Sequence, residues 1–211
     1  MRVLLIGDSI RMFYANEVKE QLGENYEIYA PKENCRFSSF VLNSLRFWLA
    51  DFPAPDVIHF NVGLWDTAIL YHEDGCFTGL SEYVATMKKI LRVLKSTGAK
   101  IIFATTTPVS DEKYKFEGPM PPAHRNEDIC RYNEAVLKAF EGEEIIINDL
   151  HTLMFPNRQN LLSDDMIHPN EAGIKLLGTA VANAIRNCGA TAREKEAQEK
   201  ETAVRNEKTI Q

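Results

Sequence analysis

Ser9 closes the run Val3-Leu4-Leu5-Ile6-Gly7-Asp8-Ser9, and far downstream the chain reads Asp164-Asp165-Met166-Ile167-His168-Pro169. A hydroxyl, an imidazole and a carboxylate are the three parts of nucleophilic acyl transfer. A serine hydroxyl is a weak nucleophile at its ordinary pKa and needs a base within hydrogen-bond reach. The base needs a third group that fixes its tautomer and stabilises its charged form. Both segments must therefore meet in space. Asp165, three residues before His168, can fold back within a short loop, so that its carboxylate takes one ring nitrogen and leaves the other for Ser9.

The elements that would position these groups alternate between strand-like apolar runs and helix-length amphipathic segments. That alternation is expected of a parallel sheet covered by helices on both faces. Strands are predicted over Arg2 to Ile6, Tyr26 to Tyr29, Val57 to Asn61, Lys100 to Thr105 and Glu144 to Ile147. Helices are predicted over Ile10 to Leu22, Ser38 to Leu49, Leu80 to Leu94, Glu127 to Phe140 and Asn170 to Asn187. The third of these has the clearest face, with Leu80, Val84, Met87, Ile90, Leu91 and Leu94 recurring at helical spacing. The fold class is thus three-layer α/β/α with five parallel strands in a flavodoxin-like order, 2-1-3-4-5. In such sheets ligands bind beyond the carboxyl ends of the strands. Ser9 lies there, at a strand-to-helix turn where free N–H groups and the helix dipole can stabilise a developing negative charge. Simple helix capping by Asp8 or Ser9 would leave the downstream motif unexplained.

Gly7-Asp8-Ser9-Ile10 directly after an N-terminal strand, with Asp165-Met166-Ile167-His168 near the other end, resembles the SGNH (GDSL-type) hydrolases over residues 1 to about 188. The resemblance implies a serine esterase with Ser9, Asp165 and His168 as its triad. The family spacing Asp-x-x-His selects Asp165, and Asp164 reads as a turn residue. The resemblance also implies oxyanion donors from the nucleophile's own N–H, from a glycine after strand two, and from the asparagine of a Gly-x-Asn-Asp motif after strand three. Here this chain departs from the pattern. The last motif reads Gly63-Leu64-Trp65-Asp66, and Pro31-Lys32-Glu33-Asn34-Cys35-Arg36 holds no glycine. The candidate donors are therefore the Ser9 N–H, Gly63, Asn61 and Asn34, in that order. Trp65 is a candidate flat apolar wall for an acyl group or sugar ring. Arg11, Arg36 and Arg125 are candidate contacts for an anionic or hydroxylated substrate, although lone arginines mostly sit in solvent at the surface.

The expected reaction is hydrolysis of a small O-acyl ester through an acyl-enzyme, with O-acetyl groups on a carbohydrate as the leading substrate by family habit. Two alternatives stand beside it. An O-acyltransferase would use the same triad, and a catalytically degenerate carbohydrate-binding module would account for the missing donors.

Composition bounds the rest. With 211 residues, 45% of them apolar, the chain is expected to form one domain over residues 1–189 followed by a charged polar tail over 190–211. A net charge of -6 supplies no basic field for nucleic acid. No apolar run reaches the roughly 20 residues of a membrane span, and the chain as written reads as cytoplasmic, with export open to it if a leader was removed. Cys35, Cys76, Cys130 and Cys188 show no Cys-x-x-Cys spacing, and His59, His72, His124, His151 and His168 show no ligand spacing. Neither a metal nor a cofactor is expected. The partner is a small-molecule or carbohydrate ester; oligomeric state is not readable from the chain. Two long connections, Thr67 to Gly79 and Pro108 to Asn126, are expected to act as lids or pocket walls.

Overall fold

Every residue from Val3 to Gly7 is buried, and this run forms the strand β1 (Arg2–Gly7) at the heart of the sheet. The computed structural model describes residues 1–70, 75–111 and 123–188. The predicted tail over 190–211, His72, and the middle of both long connections lie outside the described residues. Beside β1 run β2 (Glu27–Tyr29), β3 (Val57–Asn61), β4 (Lys100–Ala104) and β5 (Ile146–Asn148). They make one five-stranded sheet in the order β2-β1-β3-β4-β5, with every pairing parallel. The helices are α1 (Ser9–Leu22), α2 (Ser38–Asp51), α3 (Leu80–Lys95) and α4 (Asn126–Ala139). Two short ones follow, α5 (Leu150–Met154) and α6 (Arg158–Leu161), and α7 occupies residues 171–188.

Successive side chains of a strand point to opposite faces, and that period assigns the helices to their layers. Val3 and Leu5 of β1 pack with Ile10, Tyr14 and Val18 of α1 and with Leu177, Val181 and Ile185 of α7. Leu4 and Ile6 pack on the other face with Val41 and Leu45 of α2, Met87 and Ile90 of α3, and Val136 of α4. Each such side chain taken fully from water contributes about 1.5–3 kcal/mol, so two apolar layers clamp the sheet between them.

Parallel β1 and β3 are in register with Gly7 opposite Asn61. Their carboxyl ends are level, and the loops that follow leave the sheet side by side. Gly7 admits no side chain, because a Cβ there would lie 2.3 Å from Asn61 Oδ1 and 2.6 Å from Arg11 Cβ. The glycine of Gly7-Asp8-Ser9 thus seats α1 against β3 and sets the height of Ser9 above the sheet.

The strand and helix predictions match the observed elements to within a few residues. The apolar pattern predicts no element between Leu150 and Leu161, yet the segment folds into α5, a 3-10 turn at Phe155–Asn157 and α6. Helices this short carry no readable period. Asp149 starts the first of them by accepting the Thr152 N–H at 3.1 Å. Among the described residues no disulfide joins the cysteines; Cys35 and Cys188 are buried, Cys76 and Cys130 half-buried.

Candidate active site

Ser9 is the first residue of α1, and Asp8 is its N-cap, accepting the Ile10 N–H on Oδ1 at 3.0 Å. The cap orients the turn so that the Ser9 side chain stands half-exposed at the helix start. Asp8 itself is fully buried, and its second oxygen, Oδ2, has no hydrogen-bond partner among the described residues. Burial pushes its carboxyl up to about 6, against the lowering effects of the Ile10 N–H, His168 and Arg11. An acid that holds its proton more tightly when folded loses folding stability as pH rises from the unfolded value to the folded one. Asp8→Asn keeps the capping oxygen and removes this cost of a buried charge. The variant is expected to match the parent near pH 4 and to exceed it by roughly 2 kcal/mol above pH 6. Urea unfolding at the two pH values measures this, and a difference independent of pH would refute the assignment.

The second part of the site is a tight loop before α7. Pro169 bridges back to Leu162, the Ser163 N–H donates to His168 O at 2.8 Å, and the Met166 N–H donates to Ser163 O at 2.9 Å. Met166 takes a left-handed backbone, with φ of 66°, which turns the chain so that Asp165 and His168 face one another. Asp165 Oδ1 accepts from Ser163 Oγ at 2.8 Å, from the Ile167 N–H at 3.0 Å and from the His168 N–H at 2.9 Å. Its Oδ2 lies 2.6 Å from His168 Nδ1. Partial burial alone would raise this carboxyl, but the His168 backbone and ring donors, with Ile167 and Ser163, outweigh it and hold Asp165 down at about 2. His168 Nε2 lies 2.8 Å from Ser9 Oγ. The Phe13 ring packs against the imidazole, centroids 4.9 Å apart, and limits its rotation. Ser9, His168 and Asp165 are therefore joined in one hydrogen-bonded line.

A cavity of about 270 Å³ opens beside this line, walled by Ser9, Asn34, Leu64, Trp65, Ala68, Leu70, His124, Ile167 and His168. The two long connections close it together. Ile69 and Ala123 pair as an antiparallel bridge, Ile69 N–H to Ala123 O at 2.8 Å and Ala123 N–H to Ile69 O at 3.2 Å. Ala68, Leu70 and His124 flank that bridge. The predicted wall residue Trp65 is there, 38% exposed.

The candidate oxyanion donors separate. Ser9 and Asn34 are on the cavity wall; Asn61 and Gly63 are not. Asn61 is buried below the site, with its Oδ1 accepting from Tyr14 Oη at 3.3 Å and pressed against Gly7. Gly63 has φ of 153°, and a Cβ there would lie 2.3 Å from Thr106 Oγ1 and 2.9 Å from Tyr83 Oη. Its lack of a side chain serves packing, away from the cavity. Of the two candidate asparagines, Asn34, placed last from the sequence, lines the Ser9 cavity, and Asn61 does not. Asn34 Oδ1 accepts the Arg36 N–H at 2.8 Å. Arg36 stands with φ of 51°, a left-handed backbone that glycine favours, in the segment where the family pattern has a glycine. Arg11 is also corrected. It is buried rather than at the surface, donating from Nε to Gly7 O at 3.3 Å and from Nη2 to Glu33 O at 2.9 Å, so it ties the Ser9 turn to the Asn34 turn.

Asp66 holds the frame of the motif Gly63-Leu64-Trp65-Asp66. It is buried and accepts the Ser38 N–H at 2.9 Å and Ser38 Oγ at 2.7 Å. A carboxylate at the start of α2 thus supplies the cap that Phe37 lacks. Leu64, Ala68, Leu70, Ile167 and His124 were not singled out from sequence. Apolar loop residues carry no local sign of a shared wall, and His124 lacks any motif spacing. Among the described residues no group of three or more His, Cys, Asp or Glu side chains is arranged to hold a metal ion. No helix among them is long and apolar enough to cross a membrane.

No protein-family model matches this chain, and no curated protein matches it by sequence. Solved structures do match. An acetyl xylan esterase superposes with a TM-score of 0.71 at 17% identity, covering 88% of this chain and 100% of that one. A lipase/acylhydrolase from Enterococcus faecalis superposes with a TM-score of 0.70 at 15% identity, covering 88% and 95%. A GDSL-like lipase from Bacteroides thetaiotaomicron gives 0.65 at 15% identity, covering 88% of each chain. With its sheet order, its helices on both faces and these neighbours, the chain has the fold of the SGNH (GDSL-type) hydrolases.

Proposed function

We propose that this protein is a serine esterase that hydrolyses small O-acyl esters, O-acetyl groups on a carbohydrate first among them. The observation that carries the reading is the 2.8 Å contact from His168 Nε2 to Ser9 Oγ at the wall of an accessible cavity. His168 Nε2 takes the Ser9 proton as Oγ attacks the ester carbonyl, and Asp165 stabilises the imidazolium through Nδ1. The Ser9 N–H and the Asn34 amide are the donors for the tetrahedral oxyanion, each such donor contributing about 3 kcal/mol in comparable sites. His168 returns the proton to the departing alcohol, and water then repeats the cycle on the acyl-enzyme. The modest cavity favours a short acyl group. The fold's likeness to acetyl xylan esterases supports the choice of an acetylated carbohydrate.

A fluorophosphonate probe tests the nucleophile directly. It is expected to label the intact protein at Ser9, as read by peptide mass spectrometry, and to abolish p-nitrophenyl acetate hydrolysis in proportion to labelling. Absence of labelling in a folded sample would end the serine mechanism. A screen of acetylated sugars against longer acyl esters then decides the substrate.

A further inference from the structure

His124 is only 4% exposed, yet its ring forms part of the cavity wall beside Ser9 and His168. Its Nδ1 lies 3.4 Å from Thr67 Oγ1. That hydroxyl has one proton, and it is donated to Leu64 O at 2.9 Å. Toward His124 the oxygen can therefore only accept, which places the ring proton on Nδ1 and leaves Nε2 with a bare lone pair. Among the described residues nothing bonds Nε2. The ring lines the cavity beside Ser9 and His168, which is where this nitrogen can find a partner. Burial, then the neighbouring His168, push His124 down to about 4, so the ring is uncharged near neutral pH. Around it Leu64, Trp65, Ala68, Leu70 and Ile167 make the wall apolar.

We propose that His124 Nε2 accepts a hydrogen bond from a hydroxyl group of the bound ester, making the site selective for hydroxylated esters over their deoxy counterparts. The inference rests on the esterase reading above. An acceptor on an apolar wall loses its water when substrate enters, and a deoxy ester leaves it unpaired. Sites built to hydrogen-bond a hydroxyl discriminate strongly against analogues without it. A single acceptor at the edge of an open cavity corresponds to about 10- to 100-fold in kcat/KM.

Two matched pairs locate the hydroxyl: 2-hydroxyethyl acetate against ethyl acetate for the alcohol side, and ethyl lactate against ethyl propionate for the acyl side. One pair is expected to show the preference, and His124→Phe is expected to shrink that pair's ratio at least tenfold. Intrinsic reactivity of the esters cancels in this comparison of ratios. Ratios unchanged by His124→Phe in both pairs would overturn the proposal. A second measurement needs no turnover. Long-range proton–nitrogen correlation spectra of the whole protein are expected to show His124 as the neutral Nδ1–H tautomer from pH 6 to 8. An Nε2–H tautomer or an imidazolium there would equally overturn it. Loss of all ester hydrolysis and of fluorophosphonate labelling would instead count against the esterase reading itself, while the tautomer would still be read.

Discussion

His168→Ala is expected to lower kcat for p-nitrophenyl acetate by about 10⁴- to 10⁶-fold, Ser9→Ala by a similar factor, and the double variant by no more than either. The reason is geometric. One proton moves along the 2.8 Å line from Ser9 Oγ to His168 Nε2, and removing either end abolishes the same step. Groups that act as a unit lose their effect once, so the losses do not add. Neither substitution touches the backbone bonds that shape the 163–168 loop, in which the His168 carbonyl and N–H are the bonded groups. Denaturation midpoints should therefore stay close to that of the parent. Steady-state rates of the three purified variants check this, and an unchanged rate in Ser9→Ala would remove the proposed nucleophile.

Asp165→Asn is expected to cost about 10³- to 10⁴-fold in kcat while leaving the fold largely intact. An asparagine can keep its oxygen at the Oδ1 position, where Ser163 Oγ and the Ile167 and His168 N–H groups donate. Its amide nitrogen then falls where Oδ2 now lies, 2.6 Å from His168 Nδ1. Two donors cannot face each other, so the ring proton moves to Nε2, and a protonated Nε2 cannot accept from Ser9. The parent carboxylate is held down at about 2 by the donors that surround it. It is thus ionised throughout any ordinary assay, and its contribution to stability is fully present above the unfolded carboxylate range and is lost progressively as pH falls from that range through about 2. Any acid limb of the parent's pH–rate profile above pH 4 must come from another group. Kinetics of Asp165→Asn across pH 5 to 9 measure both points; recovery of parental activity at some pH in that range would contradict the tautomer argument.

The alternation of strands with helices, the covering of the sheet on both faces and the strand-end position of Ser9 were readable in the chain because period-2 and period-3.6 apolar patterns are local properties. Val3 and Leu5 against Leu4 and Ile6 already state that β1 is covered on both faces. The loop that sets Asp165 against His168 is equally local, since its partners lie within a few residues of one another. The types of Ser9, Asp165 and His168, and the chemistry those types permit, therefore belong to the sequence by itself.

Only tertiary structure decided the rest. The contact between Ser9 and His168 spans 159 positions of chain and depends on how α1 and α7 pack. Asn34 rather than Asn61 reaches the cavity because the β1–β3 register pins Asn61 against Gly7 and Tyr14. Arg11 is buried because Gly7 O and Glu33 O converge on it from separate loops. His124 lines the site because the Ile69–Ala123 bridge joins two connections that the sequence shows only as long. Each of these depends on segments remote in sequence meeting side by side, and no spacing along one chain encodes the distance between two loops.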